Sequence, residues 1–234
     1  MPLSTSVPSR RSFLLGTAAF VPAVALTGGL QRPALAANPG TMLPYTPTFF
    51  TPDEWAFVVA FVDRLIPSDA EGPGAVELDV PAFIDRQMGQ PYGYGKLWYM
   101  HGPFRPAPAT LGYQLEFTPR DIYRKGIPAA DQAIREAFGK RFVDLDPAGR
   151  DQAITRLQEG ELKLSPVPAQ TLFGEFLKNT QEGYFSDPIH GGNRDMAAWK
   201  MIGFPGARAD FTDWVDRYGA KYPFGPVSIK DLGA

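Results

Sequence analysis

No cysteine occurs in the 234 residues. Disulfides, thiolate zinc sites, iron–sulfur ligation and covalent haem attachment through Cys-x-x-Cys-His are therefore excluded for this chain. Histidine is nearly as scarce, with two residues. A catalytic transition-metal site would have little imidazole to draw on. Neither sign of charge dominates: 23 Lys and Arg stand against 25 Asp and Glu. A mildly acidic chain offers no general footprint for nucleic acid, whose binding needs clustered cations to displace counterions, so no nucleic-acid partner is expected. Recognisable catalytic motifs are missing as well. There is no Gly-x-Ser-x-Gly elbow, and Gly93-Tyr94-Gly95 does not extend to Gly-x-Gly-x-x-Gly. The carboxylates Glu71, Glu77 and Asp79 lack the alternating oxygen ligands and closing Glu of a calcium loop, and read as a solvated acidic loop.

What the chain does have begins at its N-terminus. Residues 1–36 hold Arg10, Arg11 and Arg32 and no acidic residue, which leaves 20 basic against 25 acidic residues in the remainder, near −5. Ser9-Arg10-Arg11-Ser12-Phe13-Leu14 fits the twin-arginine pattern Ser/Thr-Arg-Arg-x-Phe-Leu-Lys, with Leu15 where the pattern has Lys. The uncharged stretch Ser12 to Gln31 is interrupted by Gly16, Thr17, Pro22, Thr27, Gly28 and Gly29. That composition suits the apolar region of a signal better than a spanning helix, which needs about 20 predominantly apolar residues. Ala34-Leu35-Ala36 supplies the small-x-small cleavage pattern. A signal peptide over 1–36 and a mature domain over 37–234 are expected. The twin-arginine translocase carries folded cargo, so the mature domain is expected to fold before export.

In the mature part the pattern predicts helices and no alternating strand: an all-α, loop-rich domain. Thr51-Pro52-Asp53-Glu54 is a helix start, with a Thr cap, Pro in the first turn and Glu at the capping-box position. Trp55, Val58, Val59, Val62, Leu65 and Ile66 then mark one face, and Pro67 ends the run. Further helices are expected from Pro81 to Met88 and from Thr118 to Phe142, the latter broken or kinked near Pro128. Two more are expected from Asp146 to Leu157 and from Pro168 to a closing Gly183. Asp195 is placed to cap a short helix through Trp199, and Phe211, Trp214 and Val215 suggest a last one. Gly and Pro, at 24 each, exceed their usual shares, so long irregular segments must join these helices. The longest, 89–117, is rich in Gly, Pro and aromatic residues and has no period. Such a length without regular structure points to function.

The densest polar cluster is Asp187, His190, Asn193 and Asp195. Carboxylate, imidazole and amide could form a metal or acid–base site. The same residues are also those of a capped turn: Asp before Pro, Asn in a left-handed position, Asp at a helix start. The turn reading is preferred. Trp98, Tyr99 and Phe104 suit either a sugar platform or an interface, and aromatics are enriched at interfaces.

Together with the twin-arginine start and the helix from Thr51 to Pro67, three further stretches carry a family resemblance. They are Gly95-Lys96-Leu97-Trp98-Tyr99-Met100-His101-Gly102-Pro103-Phe104, the run Thr180 to Pro188 with Gly191-Gly192-Asn193, and Trp199-Lys200-Met201-Ile202-Gly203-Phe204-Pro205-Gly206. The sequence resembles the small, or third, subunit of bacterial membrane-bound gluconate 2-dehydrogenase. The resemblance implies a helical subunit without catalytic residues, cofactor or metal. Its partners would be a large FAD-containing subunit of the glucose-methanol-choline type and a cytochrome c subunit with haem c. Gluconate would be oxidised to 2-dehydrogluconate, with electrons passed to quinone. The complex would sit in the periplasm on the inner membrane, and the small subunit would supply the export signal for the large one. Related small subunits serve glucose, fructose, sorbitol and 2-ketogluconate dehydrogenases. A stand-alone periplasmic sugar-binding protein or enzyme is the competing class. Trp98, Tyr99, Phe104, Phe185, Trp199 and Phe204, with Asp187 and Asn193 between them, are the candidate contacts to the large subunit.

If the signal addresses both proteins, Arg10→Lys with Arg11→Lys leaves this chain and the FAD subunit in the cytoplasm on cell fractionation. An FAD subunit that still reached the periplasm would overturn the escort role.

Overall fold

The computed structural model describes residues 42–105 and 107–233. The twin-arginine residues Arg10, Arg11, Phe13 and Leu14 and the cleavage residues Ala34 and Ala36 lie outside the described residues. Among the described residues the fold is all-α, with six α-helices and no strand. The helices are α1 (Pro52–Leu65), α2 (Val80–Met88), α3 (Pro119–Phe138) and α4 (Pro147–Glu159). They continue with α5 (Ala169–Phe185) and α6 (Ala197–Ile202).

The starts of these helices follow from local chemistry. Thr51 and Glu54 close a reciprocal capping box at α1, with the Thr51 N–H donating to Glu54 Oε2 at 2.8 Å. Thr118 and Asp121 do the same at α3, and Asp146 accepts from the Gly149 N–H at α4. Each box satisfies helix-end donors that would otherwise be left to water.

Helix α5 is the centre of the packing and touches α1, α2, α3, α4 and α6. Its Phe176 is fully buried among aromatic rings. Phe61 stacks on it at 4.2 Å, Tyr123 meets it edge-on at 5.0 Å, and Phe57 lies at 6.0 Å. Phe142 closes the cluster against Phe57 at 4.7 Å. Offset and edge-to-face pairs add roughly 0.5–1.5 kcal/mol each beyond area burial, so these rings fix α1 and α3 on α5 as well as excluding water.

Four expectations are corrected. The buried residues of α1 are Glu54, Phe57, Val58, Ala60, Phe61 and Val62, so the expected Val58 and Val62 hold, while Trp55, Val59, Leu65 and Ile66 flank them half-buried. Residues 55–62 are all apolar, so spacing alone does not select the stripe. Helix α3 runs unbroken through Pro128 and stops at Gly139, whose φ of 74° gives a left-handed cap; Phe142 sits in a separate 3₁₀ turn. One proline removes one N–H bond, and burial against α5 outweighs that loss. Gly183 lies inside α5, which ends at Phe185. In the acidic loop, Glu77 is buried and accepts the Gly74 N–H at 3.1 Å, while Asp79 accepts the Leu43 N–H and pairs with Arg194.

The lead-in to α1 is held by one carboxylate. Asp85 of α2 is fully buried and accepts five hydrogen bonds at 2.8–3.0 Å. The donors are the Tyr45 hydroxyl, the Thr48 N–H and hydroxyl, and the N–H groups of Phe49 and Phe50. This bend delivers Phe50 into the core, edge-on to Tyr123 at 5.5 Å. It also sets Phe49 beneath the guanidiniums of Arg120 and Arg124, at 4.5 and 4.3 Å. Arg124 in turn pairs with the buried Glu54. Burial by itself would raise the pKa of Asp85. The donors from Thr48, Phe50, Tyr45 and Phe49 outweigh it and hold the carboxyl below its ordinary 3.8.

Asp85→Asn is expected to lower the unfolding free energy by roughly 3 kcal/mol, because an amide N–H₂ would face donors. Since the folded-state pKa is depressed, the Asp85 contribution is complete above the unfolded carboxyl value and fades as pH falls through the folded one. Denaturant titrations should therefore show wild type converging on the variant below about pH 4. Parallel curves from neutral to acid pH would contradict this account.

Candidate functional site

The segment after α5 explains the polar cluster. Asp187 is buried and accepts the Ile189 N–H at 3.0 Å, which caps a 3₁₀ turn over Pro188–His190. It also accepts the Ser228 hydroxyl at 2.6 Å and the Ile229 N–H at 2.8 Å. Burial would raise its pKa; the Ser228 hydroxyl, the N–H groups of Ile189 and Ile229, and the nearby His190 outweigh that and lower it. The carboxylate thus holds the C-terminal segment in place. A parallel bridge between Gly206 and Val227 holds the same segment from the other side. Gly206 allows it, because a Cβ there would lie 2.3 Å from the Val227 carbonyl oxygen.

Gly191-Gly192-Asn193 is a close-approach motif. A Cβ on Gly192 would lie 2.2 Å from the Gly183 carbonyl oxygen. A Cβ on Gly183 would lie 2.7 Å from the Phe83 ring. Asn193, fully buried, donates from Nδ2 to the Ser186 carbonyl at 2.9 Å and accepts the Ala198 N–H on Oδ1 at 3.0 Å. It therefore joins the end of α5 to the start of α6, the role expected of Asp195. Asp195 is exposed, left-handed at φ 56°, and caps nothing with its side chain. Among the described residues no group of three His, Cys, Asp or Glu side chains could hold a metal. Asp187 and Asn193 are taken up by internal bonds, so this cluster is a structural turn.

Of the eight candidate contacts, Asp187, Asn193 and Trp199 are buried within the chain's own fold. The Trp199 indole N–H donates to the Phe185 carbonyl at 2.8 Å, and its ring meets Phe204 edge-on at 5.1 Å. Trp199 therefore props up Phe185 and Phe204, which are 42% and 45% exposed.

Trp98, Tyr99 and Phe104 lie in the long loop. Trp98 is half-buried between Tyr113 at 4.8 Å and the Lys178 ammonium at 5.5 Å, with Tyr92 at its edge. With these neighbours around its ring, Trp98 makes a poor sugar platform. Tyr99 is exposed and leans on His101 at 5.1 Å. Beneath this loop, Tyr92 donates its hydroxyl to the buried Glu175, which also accepts from Asn179 Nδ2 at 2.9 Å. Burial and the Glu175 carboxylate push the Tyr92 phenol well above its ordinary pKa, so it remains the donor.

Two groups of surface residues were not anticipated. Leu97 and Ile189, both exposed, border one open groove of about 500 Å³, so the 89–117 and 187–191 segments meet there. Further on, Phe211, Trp214, Tyr222 and Phe224 form an aromatic cluster in which Arg208 lies over Tyr222 and Phe224, and Arg217 over Trp214. Only a 3₁₀ turn, Thr212–Trp214, stands where a short helix was expected. The alternation of aromatic and cationic residues from Arg208 to Phe224 was the available signal.

Residues 52–206, about two thirds of the chain, match the model of the family described as Gluconate 2-dehydrogenase subunit 3. No curated protein and no solved structure matches the chain.

Gly192→Ala is expected to destabilise by about 2 kcal/mol or more, since backbone must move to admit the methyl. Gly174→Ala, in α5 with open space around it, is expected to stabilise by about 0.5–1 kcal/mol through the helical preference of Ala. Thermal melts of both variants check this contrast, and similar melting points would refute the close-approach argument.

Proposed function

The chain belongs to the gluconate 2-dehydrogenase subunit 3 family, and from that premise we propose that it is the non-catalytic small subunit of an FAD-dependent gluconate 2-dehydrogenase. In this reading the large FAD subunit oxidises gluconate to 2-dehydrogluconate. The cytochrome c subunit carries the electrons to quinone. This chain holds the FAD subunit, stabilises it, and takes it through the twin-arginine translocase into the periplasm. No helix among the described residues is long and apolar enough to cross a membrane, and in this reading the complex provides the attachment to the inner membrane.

The observation that carries the reading is where apolar surface is left uncovered. Among the described residues 17 large hydrophobic side chains are exposed, and all but Leu43 fall in two segments, 94–113 and 185–229. Scattered exposure is ordinary, but concentration on long segments marks an interaction surface. The core rings around Phe176 are complete without these segments, so they are not surplus core. A stand-alone enzyme reading lacks comparable support, since Asp187 and Asn193 are taken up by the turn and Trp98 is packed against Tyr113 and Lys178.

A pair of surface truncations separates docking from folding. Phe185→Ala with Phe204→Ala removes exposed rings and spares the buried Trp199 that supports them. Co-purification of the FAD subunit with the variant is expected to fall at least about tenfold, as when a few aromatic anchors dominate an interface. Recovery at the wild-type level would overturn this part of the assignment.

A further inference from the structure

Between Asp85 and Glu116, thirty consecutive residues carry no carboxylate, although the chain contains 25. The same stretch carries Arg86, Lys96, His101 and Arg105. It borders two open grooves. One, about 500 Å³, runs between Arg86, Tyr92 and Leu97 on one side and Ile189 and His190 on the other. The second, about 420 Å³, is lined by Tyr99, His101, Phe104, Leu111 and Tyr113 among others. No carboxylate lines either groove. Glu116 enters only at a neighbouring depression, beside Arg105, and forms no ion pair with it.

The groove between α1 and α3, about 760 Å³, shows the opposite arrangement. There Arg124, Arg135 and Arg141 are matched by Glu54, Asp131 and Asp53 in ion pairs. That groove is electrostatically closed. On the loop, Lys96 and Arg105 are exposed and take part in none of the ion pairs among the described residues. Lys178 differs from them, since it is engaged beneath the loop by Tyr92, Trp98 and Glu182.

We infer that residues 89–105 and 107–115 form a cation-rimmed aromatic face that docks on a carboxylate-bearing, partly apolar surface of the FAD subunit, with Lys96 and Arg105 steering the encounter. The inference rests on the escort reading above and identifies the chemistry of the surface it engages. Charge complementarity selects this occupant. A chain near −5 outside its first 36 residues has placed a carboxylate-free, unpaired positive rim around its exposed rings, which repels a basic surface and attracts an acidic one. A sugar acid is a weaker fit, because a small ligand is held where most of its surface is buried, and here Leu97 and Tyr99 stand 71% and 86% exposed. An anionic membrane is weaker still, because two surface cations outside any ion pair do not anchor a net-negative protein there.

The test measures association of the full chain with immobilised FAD subunit at about 0.05 and about 0.5 M salt. Wild-type association is expected to slow as salt rises. Lys96→Glu with Arg105→Glu is expected to lower the low-salt association rate by about tenfold or more, with dissociation changed less than about twofold. Lys96→Gln with Arg105→Gln should fall between. Both positions are exposed, and an unchanged circular dichroism spectrum confirms that folding is intact. Charge-reversed and wild-type chains associating at the same rate would overturn the inference and leave the escort reading standing. A wild-type chain that does not bind the FAD subunit would overturn both. Loss of binding to D-gluconate or to anionic phospholipid vesicles in the charge-reversed chain, with FAD-subunit association unchanged, would overturn the choice of partner.

Discussion

The crowding of α5 at Gly183 constrains everything that follows it in the chain. On one side the Phe83 ring of α2 leaves no room for a Cβ, and on the other Gly192 crosses against the Gly183 carbonyl. A buried ring against Gly183 and backbone against Gly192 leave room for glycine at each position and not for a Cβ. Each later feature depends on the crossing. It places Asn193 where one amide meets both the Ser186 carbonyl and the Ala198 N–H. Those bonds set the start of α6 and bring the Trp199 indole under the Phe185 carbonyl. The exposed rings of Phe185 and Phe204 are therefore presented by a rigid corner, and the rigidity originates in two absent side chains.

In a chain without cysteine the long-range ties are made by buried oxygen acceptors. Asp85 ties the 45–50 segment to α2, Asp187 ties the 228–229 segment to the end of α5, and Glu54 answers Arg124. Burying an ion costs several kcal/mol, and the fold recovers it only when the remaining lone pairs are met. Asp85 meets that condition with N–H and O–H donors from the 45–50 segment, and Asp187 with donors from Ile189 and from Ser228 and Ile229. Both have lowered pKa values for the same reason. Their contributions therefore share a sign: they hold at neutral pH and weaken together in acid. The two ends of the described chain are thus anchored by groups with a common pH dependence.

What the sequence made legible divides by range. Caps at Thr51, Thr118 and Asp146 were readable because a cap is settled within four residues. The stripe of α1 was readable only at Val58 and Val62, because a run of Val, Ala and Phe on all sides gives periodicity little to select. Gly183 looked like a helix terminus, since glycine ends helices more often than it serves close packing; the packing reason lay in Phe83, a hundred residues earlier in the chain. Asn193 keeps the left-handed position expected of it, at φ 46°, and also takes the capping role expected of Asp195, because the bonds that matter run from Ser186 to Ala198 and are invisible locally. Trp199 shows the same limit at the surface. A tryptophan in a loop-rich segment reads as a contact, whereas its N–H found a carbonyl within the fold and left the exposed position to Phe204. The family resemblance was readable, because Trp199 through Gly206 and the Gly-Gly-Asn run are the residues such geometry requires.

The aromatic residues fall into two populations with different neighbours. Phe57, Phe61, Phe142 and Phe176 meet other rings in the core. Many surface rings meet cations as well as one another: Arg120 lies over Tyr94, Lys96 near Tyr94, Arg208 over Tyr222 and Phe224, and Arg217 over Trp214. A cation on a ring face keeps that face hydrated while leaving the edge and neighbouring aliphatic groups open to contact. In the proposed reading, such a surface stays hydrated until the FAD subunit covers it. The segment beyond residue 206, where the family match ends, continues this pattern with its own cation-covered rings. It is not an independent appendage, since Gly206 bridges Val227 and Asp187 holds Ser228. The residues that shape the family's corner also fix the extension, so the exposed rings on either side of residue 206 are set by one structural element.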